Sequence, residues 1–133
     1  MKLVKIAAVY SIIVGVSIIG IWAMLYLNNE IPELNITPIA ITMHLAAEIL
    51  TALLLIVGGI GLLLKRWWGY QIYLFSMGML VYTLIQSPGY YAEKGNLAFV
   101  IMFAVILIIS LSFLMLSFMK KEHFAALGDK YGN

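Results

Sequence analysis

Apolar residues fall into four long runs, and polar ones are swept into the short stretches between them. The runs are Ile6 to Leu27, Ile39 to Leu64, Tyr70 to Gln86 and Leu97 to Met119. A helix that crosses a hydrocarbon core of about 30 Å needs about 20 predominantly apolar residues. The first, second and fourth runs satisfy this readily, and the third reaches it with its interfacial aromatics. Backbone groups in lipid must find partners within their own segment, so each run is predicted to be a helix. The alternating pattern of a membrane β-strand is absent. The expected fold is all-α: a polytopic membrane protein with a single transmembrane domain over residues 1–133, built as a four-transmembrane-helix bundle.

The connectors are short. Residues 28–38, NNEIPELNITP, are polar and acidic, with two prolines that oppose any continuation of the first helix. Residues 65–69, KRWWG, form a tight turn, and residues 87–96, SPGYYAEKGN, carry a Pro-Gly turn signal. The tail from Lys120 onward is polar and too short to fold alone. No connector can hold a soluble domain, so the chemistry is expected in or beside the bilayer. The first run follows the basic residues Lys2 and Lys5, as in a signal peptide. It is longer than a typical apolar signal core and no small-x-small site closes it, so it is expected to remain as a helix.

Charge then orients the helices. Lys2, Lys5, Lys65, Arg66, Lys120, Lys121 and Lys130 fall on one side of a four-span arrangement, and Lys94 stands alone on the other. The positive-inside rule puts both termini in the cytoplasm and the acidic loops outside, with the chain multi-pass in the cell membrane. Trp67, Trp68 and Tyr70 mark the inner interface, and Tyr26, Tyr90 and Tyr91 the outer one.

Composition agrees with this placement. Hydrophobic residues make up 64% of the chain and charged ones 11%, with a mean hydropathy of +1.04. A soluble domain carries about 25% charged residues. The absence of cysteine excludes disulfides, thiolate metal sites, iron–sulfur clusters and cysteine nucleophiles. The expected partner is the lipid bilayer, with no nucleic acid.

One stretch, ITMHLAAEIL at 41–50, places two ionisable residues inside an apolar run. At about 1.5 Å per residue, Glu48 lies roughly 13 Å below the outer boundary, with His44 one turn above it on the same face. A charged group at that depth costs roughly 2.5–3.5 kcal/mol on insertion scales. Protonation, a wet cavity or pairing with a charged His44 would offset the cost. Thr42 and Thr51 extend the same face. The outer turns of the third helix, with Met79, Tyr82, Thr83 and Gln86, share this depth, and Trp22 and Tyr26 reach it from the first helix. Tyr82 and Gln86 share a face through their spacing of four. A cluster of Glu48, His44, Tyr82 and Gln86 is therefore the candidate proton- or cation-binding site. A structural alternative has Glu48 as a neutral hydrogen-bond donor to a neighbouring helix and His44 as an interfacial residue. The loop carboxylates Glu30, Glu33 and Glu93 read as solvated charges.

The same residues bound the cofactor readings. His44 and Glu48 offer two metal ligands, short of the three or four that zinc takes from proteins, unless a second copy supplies the rest. His123, the other histidine, lies across the membrane from His44. Haem would need His44 with a methionine such as Met79. Metal and haem therefore rank below proton or cation binding, and no cofactor is assigned. No group is singled out as catalytic: one His–Glu pair gives too few convergent groups for an enzyme acting alone.

Small residues suggest where helices approach: Ser11 and Gly15 on the first, Gly58, Gly59 and Gly61 on the second, Gly78 on the third. In size the chain is similar to small four-helix families such as the small multidrug-resistance transporters and DoxX-like proteins. The key membrane carboxylate of the multidrug family lies in the first helix, whereas the one here lies in the second, and no residue roles carry over. Two functions are expected. The first is a small proton- or cation-coupled transport or binding protein using Glu48 and His44. The second is a non-catalytic accessory or anchor subunit of a larger membrane complex, redox complexes included. Either form would be a homo-oligomer or part of a larger assembly.

Overall fold

A computed structural model describes residues 2–125. Lys130, one of the basic residues that orient the chain, lies outside the described residues. The chain is all-helical, with no strand among the described residues. Its elements are α1 (Lys2–Leu27), the single turn α2 (Glu33–Ile36), α3 (Pro38–Leu63), α4 (Gly69–Glu93) and α5 (Leu97–Met119). Of these, α1, α3 and α5 are long and apolar enough to cross a membrane. Helix α4 is comparably long but more polar, since Gln71, Tyr73, Ser76, Tyr82, Thr83 and Gln86 interrupt its apolar residues.

Three helices end in the same way, and the endings set the loop lengths. After α1, Asn29 takes a left-handed φ of 56°, Glu30 N–H donates to Leu25 O at 2.9 Å and Asn29 N–H to Tyr26 O at 3.2 Å. After α3, Lys65 takes φ 58°, Arg66 N–H donates to Gly61 O at 2.9 Å and Lys65 N–H to Leu62 O at 3.2 Å. After α4, Gly95 takes φ 75°, Asn96 N–H donates to Tyr91 O at 2.9 Å and Gly95 N–H to Ala92 O at 3.1 Å. Each is a Schellman ending, which satisfies carbonyls that would otherwise be orphaned at the helix terminus. The next helix then starts at once: Pro38 sits in the first turn of α3, where its missing N–H costs nothing. At α5, Asn96 accepts a hydrogen bond from Phe99 N–H.

The Pro-Gly signal at residues 88 and 89 does not end a helix. The third apolar run was expected to stop at Gln86, yet α4 continues through Pro88 to Glu93. An internal proline removes one backbone hydrogen bond and costs about 3 kcal/mol. Packing beyond it offsets that loss: Tyr91 stacks on Phe99 and Phe103 of α5, with ring centroids 4.8 and 5.6 Å apart. The acidic connector also holds the extra turn α2.

Helix α1 packs along α3, α3 along α4, and α4 along α5. The α1–α3 seam is close because glycine meets backbone. A Cβ added to Gly15 would stand 2.6 Å from Ala52 O, and one added to Gly59 2.6 Å from Ala8 O. Ser11 Oγ crosses the same seam and donates to Leu55 O at 2.7 Å. The adjacent Gly58 faces the other neighbour, where a Cβ would stand 2.8 Å from Tyr73 Cα on α4. Gly61 meets Gly69 and the Trp68 ring across the 64–68 turn. Gly78 faces outward, with nothing within 4 Å of a Cβ built there.

The buried core runs through Val4, Ala7, Ala8, Leu55, Leu62, Tyr70, Tyr73, Met77, Leu80 and Leu84, and Phe124 closes it at one end. Phe124 is 1% exposed and stacks on Tyr73 at 5.9 Å. Ser117 Oγ lies 2.9 Å from the Tyr73 hydroxyl and 2.7 Å from Phe113 O, so the phenol is not left unpaired. Helix α5 also reaches α1, where the Tyr10 hydroxyl lies 2.7 Å from Ser110 Oγ and its ring stacks on Phe113.

Candidate functional site

Glu48 sits on α3 where that helix faces α4, and it is 5% exposed. Thr83 of α4 donates its hydroxyl hydrogen to Glu48 Oε1 at 2.6 Å. His44, one turn earlier on α3, places Nε2 3.8 Å from the same oxygen. Both interactions fall on Oε1. The His44 side chain is 33% exposed, and Trp22 of α1 meets its ring edge-on at 5.8 Å. Thr51, a turn deeper, is buried and donates to Ala47 O at 2.8 Å.

These groups line a cleft of about 160 Å³ between α3 and α4. Its walls are His44, Ala47, Glu48 and Thr51 from α3, and Met79, Tyr82, Thr83 and Gln86 from α4. The four residues grouped from the sequence, Glu48, His44, Tyr82 and Gln86, thus share one cleft. Tyr82 and Gln86 stand at its rim, Tyr82 at 68% exposure, and neither has a hydrogen-bond partner among the described residues. The volume falls below the about 300–1,000 Å³ of drug-sized sites. It suits a few waters or a small cation.

Thr83 is the member that spacing did not single out. Pairing Tyr82 with Gln86 took a four-residue interval on α4, but the stripe that meets α3 passes through Met79, Thr83 and Gln86, with Tyr82 at its margin. The buried row Tyr73, Met77, Leu80 and Leu84 sets the inner face of α4 and leaves Thr83 beside it, a rotation fixed by packing that no local spacing signals. An unpaired carboxyl or hydroxyl in hydrocarbon costs several kcal/mol, and the Thr83–Glu48 bond removes that penalty for both groups at once.

Among the described residues no three His, Cys, Asp or Glu side chains gather at one point. Met79 lines the cleft, and His123 is exposed on the segment after α5. Toward the 64–68 turn the α3–α4 seam is filled. Leu55, Tyr73 and Met77 are fully buried there, and Gly58 lies against the Tyr73 backbone. The cleft therefore opens on the flank of the α3–α4 pair, at the end away from the 64–68 turn.

A second polar group ties the loops together. Tyr90 donates its hydroxyl hydrogen to Glu33 Oε1 and accepts from Lys94 Nζ, which also lies 3.9 Å from Glu33 Oε1 and 4.2 Å from the Tyr90 ring centroid. The Tyr90 hydrogen bond, above all, holds the Glu33 carboxyl below its ordinary value, and the bond to Tyr90 raises Lys94. Glu33 is thus a paired loop carboxylate, while Glu30 and Glu93 are exposed. Beside this group the loop after α1 shapes a shallow hollow of about 440 Å³, with Tyr26, Asn29 and Asn35 in its lining.

A family model described as a domain of unknown function (DUF8058) matches residues 1–128. The chain belongs to this family. The match takes in every element from α1 to α5, and with them both walls of the cleft. No curated protein and no solved structure matches the chain. The chemistry of this DUF8058 member is therefore argued from its own residues.

Proposed function

We propose that the chain is a four-span protein of the cell membrane, with both termini in the cytoplasm, that binds a proton or small cation at Glu48 and couples this binding to transport. The observation that carries the reading is the cleft. It joins one carboxylate, one imidazole, a phenol, a carboxamide and two threonine hydroxyls within apolar helices. An ionisable residue inside a membrane helix is costly and marks an ion or proton site by default. His44, with Nε2 3.8 Å from Glu48 Oε1 and its ring at the cleft wall, can accept and pass on a proton between Glu48 and the outer surface. Thr83 holds Oε1 in place.

Two features support α4 as the fourth span. Its 25 residues give a length of about 37 Å. Its polar residues Tyr73, Ser76 and Thr83 also turn inward, where Ser117, the Tyr73 carbonyl and Glu48 meet them, so they need not meet lipid. Orientation rests on the basic residues grouped at one set of helix ends. The filled inner seam means that transport requires α4 to move against α3, and the binding step alone does not.

The test is proton flux in proteoliposomes carrying a trapped pH dye, driven by gradients of sodium or potassium. Wild type should show flux, and Glu48→Gln should reduce it at least tenfold with unchanged elution on size exclusion. A wild type that moves no protons under any cation gradient rules out the transport reading.

The long apolar surface of α5, of which only Ser110 and Ser117 are buried, favours a second reading as an accessory subunit. Stable unrelated subunits in native mass spectrometry after gentle extraction would select it.

A further inference from the structure

The outward face of α4 carries a polar stripe that nothing among the described residues satisfies. Gly78, Tyr82 and Gln86 follow at four-residue spacing and stand in one row along the helix. Tyr82 and Gln86 are exposed and without hydrogen-bond partners among the described residues, and Gly78 has open space where a Cβ would stand. Against lipid, the Tyr82 hydroxyl and the Gln86 amide meet a medium that offers no partner. Tyr82 is not an anchor at the headgroup level. It stands two turns, about 12 Å, inward of Tyr90, which engages Glu33 at the end of the helix.

We propose that a second copy of this chain covers the stripe. Helix α4 then lies against α4 of its partner about a twofold axis along the membrane normal, with Gly78 at the closest approach. Such an interface is isologous, so each residue meets its own copy or a near neighbour of it. A hydroxyl and a carboxamide each donate and accept, which makes both self-complementary. A charged stripe would repel its copy, and none of the residues from Gly69 to Gln86 is charged. Glycine lets two backbones approach closely where no hydrophobic force drives association. The surface is also continuous with the cleft, since Tyr82 and Gln86 belong to both. The partner's Tyr82 and Gln86 therefore complete the rim, and the flank opening beside Glu48 is closed by protein instead of lipid. The dimer rests on α4 lying in the membrane and not on proton chemistry at Glu48.

The chain has no cysteine, so single cysteines report cleanly. Gly78→Cys fits without a clash. Oxidation with copper phenanthroline in native membranes should convert most of it to a disulfide dimer, because sulfurs bridge only where Cα atoms come within about 7 Å. Ile13→Cys on α1 and Ile108→Cys on α5, which also point outward near mid-helix, should stay monomeric. Adding Tyr82→Phe and Gln86→Leu to Gly78→Cys should lower the dimer yield at least fivefold. Equal cross-linking at all three positions overturns the proposal, as does a yield indifferent to the double change. So does a Gly78→Cys protein that neither cross-links nor reacts with a membrane-impermeant maleimide. Reaction with that maleimide would remove α4 from the membrane and overturn the four-span reading as well. Proton flux lost in Glu48→Gln stands apart from all of these results.

Discussion

Thr83 decides how Glu48 is held. Its hydroxyl is the only group from α4 that bonds the carboxylate, so Thr83→Val should cut the link between the two helices while preserving shape. Hydrogen bonds between membrane helices contribute roughly 0.6–1.7 kcal/mol, and a loss of that size is expected in unfolding measured in detergent. Thr83→Ser should restore most of it. In a double-mutant cycle Thr83→Val should add little to Glu48→Leu, since each removes the same bond. His44 and Glu48 were legible as neighbours from the sequence because both lie on one helix, whose geometry fixes the spacing of four. Thr83 was not, because the rotation of α4 about its own axis is set by packing against α3, and that lies outside any local pattern.

At the scale of the element, α3 is the piece on which the other helices are arranged. Its consecutive glycines point about 100° apart around the helix, so Gly59 receives α1 while Gly58 receives α4. A large side chain at Gly59 must push against Ala8 O and Ile12, both 2.6 Å from where a Cβ would stand. Gly59→Ile should therefore destabilise by at least 1–3 kcal/mol, roughly the cost of overpacking, and appear as a lowered melting temperature or loss of the monodisperse peak. Gly20→Ala has nothing within 4 Å and should be neutral or slightly stabilising, since alanine is the better helix former. Glycine counts in the sequence marked the crowded region without saying which glycine meets which helix. The same limit applied at Pro88. Its local signal favours a turn, and only the tyrosine and phenylalanine rings stacked beyond it carry α4 on to Glu93.

For the whole molecule, the apolar runs announced directly an all-helical chain with helices long and apolar enough to cross a membrane, because the length that crosses lipid is a property of consecutive residues. How far α4 extends, and which of its faces is polar for internal reasons, depended on its neighbours. The four-span orientation is checked by labelling single cysteines with an impermeant maleimide in sealed cells. Asn29→Cys, in the loop after α1, should react from outside. Lys121→Cys, just beyond α5, should react only after the membrane is made permeable. Labelling of both from outside would contradict the three spans that α3, α4 and α5 place between them.

The docking of Phe124 has a practical corollary for anyone who shortens or fuses the chain. The segment after α5 is the stopper of one end of the core, seated on the rings of Tyr70 and Tyr73. A shortened chain should therefore reach past residue 124 if it is to keep this end of the core closed. A partner protein or reporter joined ahead of that point would pull the stopper out, and bulk water would reach the phenols of two buried tyrosines.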